Sequence, residues 1–148
     1  MSVQTFSLKI NGEQPVSKNF KVKEFKSKCG ADEILIDVAF VQNFLQKIRD
    51  HFNKPVIIHS GYRSLAHNRA VKSKDTSFHP KGRAFDIRIE GVKTIEIAQY
   101  AERIGIKGII WYDTGFVHID SRNGISQGER KWWAKDIKGQ PIEVKTFA

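Results

Sequence analysis

Between residues 37 and 52, Val38, Val41, Phe44, Leu45, Ile48 and Phe52 recur at the i, i+3, i+4, i+7 spacing of a single buried helix face. Asp37 stands where an N-cap belongs and Pro55 follows the last apolar residue, so this helix has a start and a stop. Its surroundings read as short extended runs. Phe6, Leu8 and Ile10 alternate over residues 5–10, before an Asn11-Gly12 turn. Residues 56–58 and 84–89 read as strands, and residues 108–112 and 116–121 as two more, joined by the hairpin-like turn Asp113-Thr114-Gly115. Ser64 caps a brief helix through about residue 71, and residues 94–103 carry a further helical pattern that Gly105 stops. Residues 141–147 read as an edge strand, and Trp132 and Trp133 as closing the core from the C-terminal side. Strands and helices mixed without regular βαβ alternation imply an α+β fold with a central antiparallel sheet flanked by helices.

The chain has 148 residues with no repeat, low-complexity tract or Pro/Gly-rich linker, which fits one domain over residues 1–148. Cys29 is the only cysteine, so an internal disulfide and the Cys-rich zinc motifs are excluded. No apolar run reaches the length of a membrane span. The first ten residues lack a basic head and an apolar core, so synthesis in the cytoplasm without a signal peptide is expected. The net charge of +9 and pI near 9.7 attract polyanions, either nucleic acid or anionic cell-wall polymers. Basic residues spread from Lys9 to Lys145, with a mild cluster at Lys18, Lys21, Lys23, Lys26 and Lys28 and no nucleic-acid motif. A solvated basic surface on a monomer, with no nucleic-acid partner, is the expectation.

Chemistry concentrates at His79, Asp86 and His118. The first two lie in Ser77-Phe78-His79-Pro80-Lys81-Gly82-Arg83-Ala84-Phe85-Asp86, the third in Gly115-Phe116-Val117-His118-Ile119-Asp120. Pro80 argues against a continuous helix, so a loop bearing His79 feeds a strand bearing Asp86 and can turn both toward one point. Phe116, His118 and Asp120 share one face of their strand. Two imidazoles and one carboxylate suit Zn2+ and leave a fourth position for water, the arrangement of a catalytic rather than a structural site. Taken singly, each histidine reads as a hydrogen-bonded structural residue and the aspartate as a surface one. The combined pattern Ser-x-His-x-x-Gly-x-Ala-x-Asp, followed by His-x-Asp, outweighs those readings.

In this combination the sequence resembles the zinc D-Ala-D-Ala carboxypeptidases and the related L-alanyl-D-glutamate endopeptidases, which share the Hedgehog/DD-peptidase fold. The upstream Ser60-Gly61-Tyr62-Arg63-Ser64, followed by His67-Asn68, matches the same enzymes. With the segment from Phe20 to Phe25 and the helix after Asp37, the recognisable core covers about residues 20–122. The resemblance implies His79, Asp86 and His118 as ligands of one Zn2+, with Arg63, Ser77 and Tyr62 as substrate contacts. Arg63 would steady carboxylate or carbonyl oxygens, which its planar fork suits; Ser77 equally suits capping its own loop. The implied activity is hydrolysis of peptidoglycan stem peptides, either releasing terminal D-Ala or cutting an L-Ala–D-Glu bond. The implied setting is a phage or prophage lysin, or a virion-associated enzyme, acting at the cell wall once released.

One departure stands out. Many members place a catalytic acid three residues before the last histidine ligand, and here that position is Gly115. Cleavage needs a group that takes the water's proton and hands it to the leaving amine. Asp113, in the turn, and Asp120, on the face of His118, are the candidates, with Asp113 favoured as base and Asp120 as the partner orienting His118. His51 reads as a helix-end residue; His59, at a strand end before Ser60-Gly61-Tyr62-Arg63, has the alternatives of a structural role, which is favoured, and of approaching the site, and His67 reads as structural. The missing acid leaves open a non-catalytic zinc- or wall-binding domain on the same fold. A basic nucleic-acid-associated protein with structural histidines is the third reading.

Overall fold

The computed structural model describes residues 2–74, 76–113, 115–123, 128, 130–134 and 142–147, with backbone alone at residues 130 and 132–134. The roles expected of the Trp132 and Trp133 side chains, and of Thr114 and Pro141, therefore lie outside the described residues. The alternation over residues 5–10 is not one strand. β1 (Val3–Ser7) is extended, but Ser7 Oγ accepts the Ile10 N–H at 3.2 Å and caps the helical turn α1 (Leu8–Asn11). Asp32 completes the switch, its backbone carbonyl accepting the Leu8 N–H and its carboxylate the Lys9 N–H. The small hairpin of β2 (Pro15–Ser17) and β3 (Phe20–Lys21) follows. β4 (Glu33–Asp37), absent from the predicted strands, pairs antiparallel with β1 and buries Ile34 and Ile36.

The predicted long helix forms with the predicted cap, the Asp37 carboxylate accepting the Phe40 N–H at 3.2 Å. It is not uniform: α2 (Val38–Phe40) passes through a π-helical turn (Val41–Leu45) into α3 (Gln46–Phe52). β5 (Val56–Ser60) and α4 (Leu65–Ala70) come next, and Ser64 caps α4 by accepting the His67 N–H at 3.1 Å. β6 (Ala84–Ile89), α5 (Thr94–Arg103), β7 (Gly108–Tyr112) and β8 (Val117–Asp120) match the sequence reading closely. β9 (Arg130–Ala134) and β10 (Ile142–Glu143) complete the main sheet, in the order β10-β9-β7-β8-β6-β5.

The sheet is antiparallel except for β7 and β9, a correction to the purely antiparallel expectation. β8 ends opposite Gly108, and β9 begins opposite the same residue. The chain thus re-enters at the end where β7 starts and must run alongside it. β8 also pairs with β6, so it fills the gap between β6 and β7, whose crossover is α5.

Strand alternation divides the sheet's work. Phe85, Ile87, Ile109, Val117 and Ile119 enter the core with Phe25, Phe40, Ile48, Ile97 and Ala101. Phe85 stacks on Phe40 with ring centroids 5.5 Å apart. Each fully buried side chain of this size contributes about 1.5–3 kcal/mol. His51 stacks on Tyr100 at 3.8 Å and ties α3 to α5. The other face presents Asp86, His118 and Ile110 in one cross-strand row and Ala84, Asp120 and Gly108 in the next. Among the described residues no helix is long and apolar enough to cross a membrane.

Candidate metal centre

The row of Asp86 and His118 meets His79 at an open cavity of about 650 Å3. His79 begins a 3-10 turn, His79–Lys81, which Gly82 ends at φ +73°. A side chain on Gly82 would press on the Leu35 backbone as well as straining φ, so glycine is required there. Ser77 Oγ accepts the His79 N–H at 3.2 Å, the local capping role, and Ser77 also lines the cavity. His79 Nδ1 lies 2.7 Å from the Gly61 carbonyl. A carbonyl only accepts, so Nδ1 carries the hydrogen and Nε2 keeps its lone pair.

That Nε2 faces Asp86 Oδ2 at 3.4 Å, while His118 Nδ1 lies 3.0 Å from Asp86 Oδ1. One potential ligand atom from each of His79, Asp86 and His118 falls within 4.8 Å of the others. Donors held about 2.0–2.2 Å from a tetrahedral zinc ion lie roughly 3.3–3.6 Å from one another, so three N/O donors already within 4.8 Å need only small shifts to close on one such ion. His79 and Asp86 are buried and His118 nearly so. Arg63 braces the carboxylate: its Nη2 donates to Asp86 Oδ2 at 3.4 Å, its Nε to Ser60 and its Nη1 to Asn68.

Behind His118 lies Asp120, fully buried, with Oδ2 2.9 Å from His118 Nε2. Arg122 closes on the same carboxylate, Nε to Oδ1 at 2.8 Å and Nη2 to Oδ2 at 2.9 Å. Gly108 makes room for this group, because a Cβ there would collide with the Asp120 carboxylate. Burial pushes the pKa of Asp86 up, but His79 and His118 outweigh it and hold the carboxyl well below the usual range. Burial likewise works against ionised Asp120, and His118 and Arg122 overcome it. Burial disfavours the charged imidazole of His118, yet hydrogen bonds to Asp120 and Asp86 raise its pKa from 6.5 to about 9.

The remaining sequence candidates divide. Arg63 and Ser77 line the cavity. Tyr62 does not: its hydroxyl donates to Glu33 at 3.2 Å, its ring is buried in the core, and burial with Glu33 pushes its pKa up to about 12. The cause is local, since the Tyr62 N–H is taken by the Phe25 carbonyl and turns the side chain inward. Asp113 is exposed beyond the end of β7, outside the cavity wall, and Asp120 lies behind the wall with both oxygens engaged. Gly115 is exposed at φ +93°. The wall also brings in His59, for which the sequence favoured a structural role over an approach to the site, and Lys28, His67, Lys74 and Arg122, which sequence reasoning did not place at the site. Asp120-x-Arg122, two residues apart in extended chain, was the one legible signal among them.

A buried His–Asp–His cluster at an open cleft, with a carboxylate behind one imidazole, defines a candidate metal-dependent hydrolase. A family model described as Peptidase M15 matches residues 18–120. The chain belongs to the peptidase M15 family, as its motifs led one to expect. Over 74 residues it is 36% identical to the peptidoglycan L,D-endopeptidase MepK of Escherichia coli (strain K12), covering 46% of this chain and 41% of that protein. The protein of the same name from Shigella flexneri matches equally. The probable peptidoglycan L,D-endopeptidase MepK of Haemophilus influenzae is 33% identical over 75 residues, 47% of this chain and 40% of that protein. The matched stretch thus spans about two-fifths of the length of these relatives.

Proposed function

We propose that the chain is a metal-dependent peptidase that hydrolyses peptide bonds in the stem peptides of peptidoglycan, with one Zn2+ held by His79, Asp86 and His118. The buried trio at the cavity, inside the segment that matches the family, carries this reading. The activity named for the relatives favours an endopeptidase acting across an L,D bond over a D-Ala-D-Ala carboxypeptidase. When bound, zinc would supply an acidified water and a polarised substrate carbonyl. His79 offers Nε2, because Nδ1 is committed to Gly61, and His118 offers Nδ1, because Nε2 faces Asp120. Lys28, Arg63, Lys74 and Arg122 line the cleft, and Asp86 is its only carboxylate among the described residues. That balance suits a peptide carrying free carboxylates, as stem peptides do. Residues 1–148 act as one unit in this reading, and the net charge of +9 draws it to anionic wall polymers.

Digestion of purified peptidoglycan, followed by mass spectrometry, tests the proposal. New muropeptides cut at one bond are expected, lost on chelation and restored by zinc. Products that persist after complete metal removal would contradict it. The exposed Gly115, where the resemblance places an acid, favours a second reading, a wall-binding domain without turnover. Co-sedimentation with peptidoglycan that yields no product would select it.

Metal binding should also release a proton. With a pKa of about 9, His118 of the metal-free protein is protonated at neutral pH, and a ligand nitrogen must give that proton up. The raised value means that its contribution to stability is complete below pH 6.5 and is lost as pH rises through about 9. Zinc affinity should therefore climb about tenfold per pH unit between pH 7 and 9 while that proton is being displaced. Calorimetry in buffers of different ionisation enthalpy should show about one proton released per zinc at pH 7.5 from this group. Release of none would remove His118 Nδ1 from the ligand set.

A further inference from the structure

We propose that His59 is the catalytic residue that carries the proton during bond cleavage, a role that Gly115 cannot fill; the assignment rests on the peptidase reading above. The β5–β6 register passes from Ile58 opposite Ile87 to Ser60 opposite Asp86, leaving His59 as the extra residue of a bulge. A bulge re-aims the side chain it carries. The His59 ring reaches Phe116, two residues before His118, and stacks on it with centroids 5.0 Å apart and planes 15° from parallel. His59, Phe116, Asp86, His79 and His118 all line the one cavity. Neither ring nitrogen of His59 has a hydrogen-bond partner among the described residues, so both are open to substrate and water.

The surroundings keep this imidazole in the form a base needs. Burial lowers its pKa below the ordinary histidine value, Lys28, Arg88 and Arg63 act in the same direction, and Asp86 opposes them. His67 from α4, Tyr112 from β7 and His118 from β8 also face the cavity. Neither aspartate competes. Asp113 lies outside the wall, and both oxygens of Asp120 are held by His118 and Arg122.

In the forward step a water O–H breaks, its proton goes to a His59 ring nitrogen, and the oxygen's electron pair forms a bond to the peptide carbonyl carbon. The carbonyl π pair moves to its oxygen. When the C=O re-forms, the C–N bond breaks with its electrons on nitrogen, which takes the proton from His59. The products are a carboxylic acid, which ionises to solvent, and an amine, and His59 is neutral again. The stack on Phe116 sets the plane of the ring at the cavity wall, which suits a group that must meet water first and the leaving nitrogen second.

The test uses His59→Phe, which keeps a ring against Phe116, and His59→Ala, which leaves space for added imidazole. On a muropeptide cut by the wild-type protein, kcat should fall about 10²–10⁴-fold in both, with KM little changed. Zinc affinity should be unaffected. The acidic limb of the wild-type kcat/KM profile should coincide with the NMR titration of the His59 ring and vanish in His59→Phe, and imidazole should restore part of the activity of His59→Ala. A His59→Phe protein within twofold of wild type, or one that loses activity only by losing zinc, overturns the assignment. If the wild-type protein cuts no muropeptide, the peptidase reading falls and this assignment falls with it. An active wild type beside an unimpaired variant sinks this assignment alone.

Discussion

Replacing His118 with alanine is expected to remove zinc binding and bring muropeptide hydrolysis to background, with no recovery at high zinc. His118 sits on β8, between β6 and β7, with its ring fixed from both sides by Asp86 at 3.0 Å and Asp120 at 2.9 Å. Without it, only His79 and Asp86 remain, and two protein ligands do not make the three-ligand site of a catalytic zinc. The effect reads out apart from activity. Zinc at about 100 times its dissociation constant should stabilise the wild-type protein by about 2.7 kcal/mol. The variant should gain nothing. His118→Gln is the companion, because its amide NH2 can donate to one of the two carboxylates and keep a polar group there while still lacking the imidazole nitrogen. A His118→Ala protein that retains one equivalent of zinc after dialysis would show that the ion is held elsewhere.

What was legible in the sequence was whatever depends on neighbours in the chain. The cap at Asp37, the cap at Ser64, and the shared face of Phe116, His118 and Asp120 all follow from local spacing, and all are present. What the sequence hid depends on distant contacts. Nothing local in Ser60-Gly61-Tyr62-Arg63 says that Arg63 faces the cavity while Tyr62 turns inward; the Phe25 carbonyl decides that. The bulge at His59 exists only as a mismatch between β5 and β6, so a residue read as structural stands in the cavity wall. The switch at Ser7 is hidden in the same way, because Asp32 supplies half of its hydrogen bonds. The parallel β9 follows from where the chain re-enters the sheet, which no periodicity encodes.

Asp120→Ala should be the most destabilising single change behind the site, lowering the free energy of unfolding by about 3–5 kcal/mol, the usual cost of removing one partner from a buried ion pair. The Asp120 side chain is fully buried, and that of Arg122 is only 12% exposed. Removing the carboxylate leaves the guanidinium without its two charge-assisted bonds, although it still lies 4.9 Å over the Phe78 ring. It also frees His118 Nε2, so the ring can rotate and its ligand nitrogen is no longer aimed. Loss of such an orienting partner typically weakens metal affinity 10–100-fold. Denaturant unfolding of the metal-free protein measures the first effect, and competitive zinc titration the second. Asp120→Asn, which keeps the volume and one acceptor, should fall between wild type and Asp120→Ala in both. Gly108→Ala attacks the same contact from β7, because its methyl must displace the carboxylate that Gly108 accommodates. If Gly108→Ala weakens zinc binding while Asp120→Ala does not, the strand geometry around His118, rather than this carboxylate, sets the orientation of the ligand.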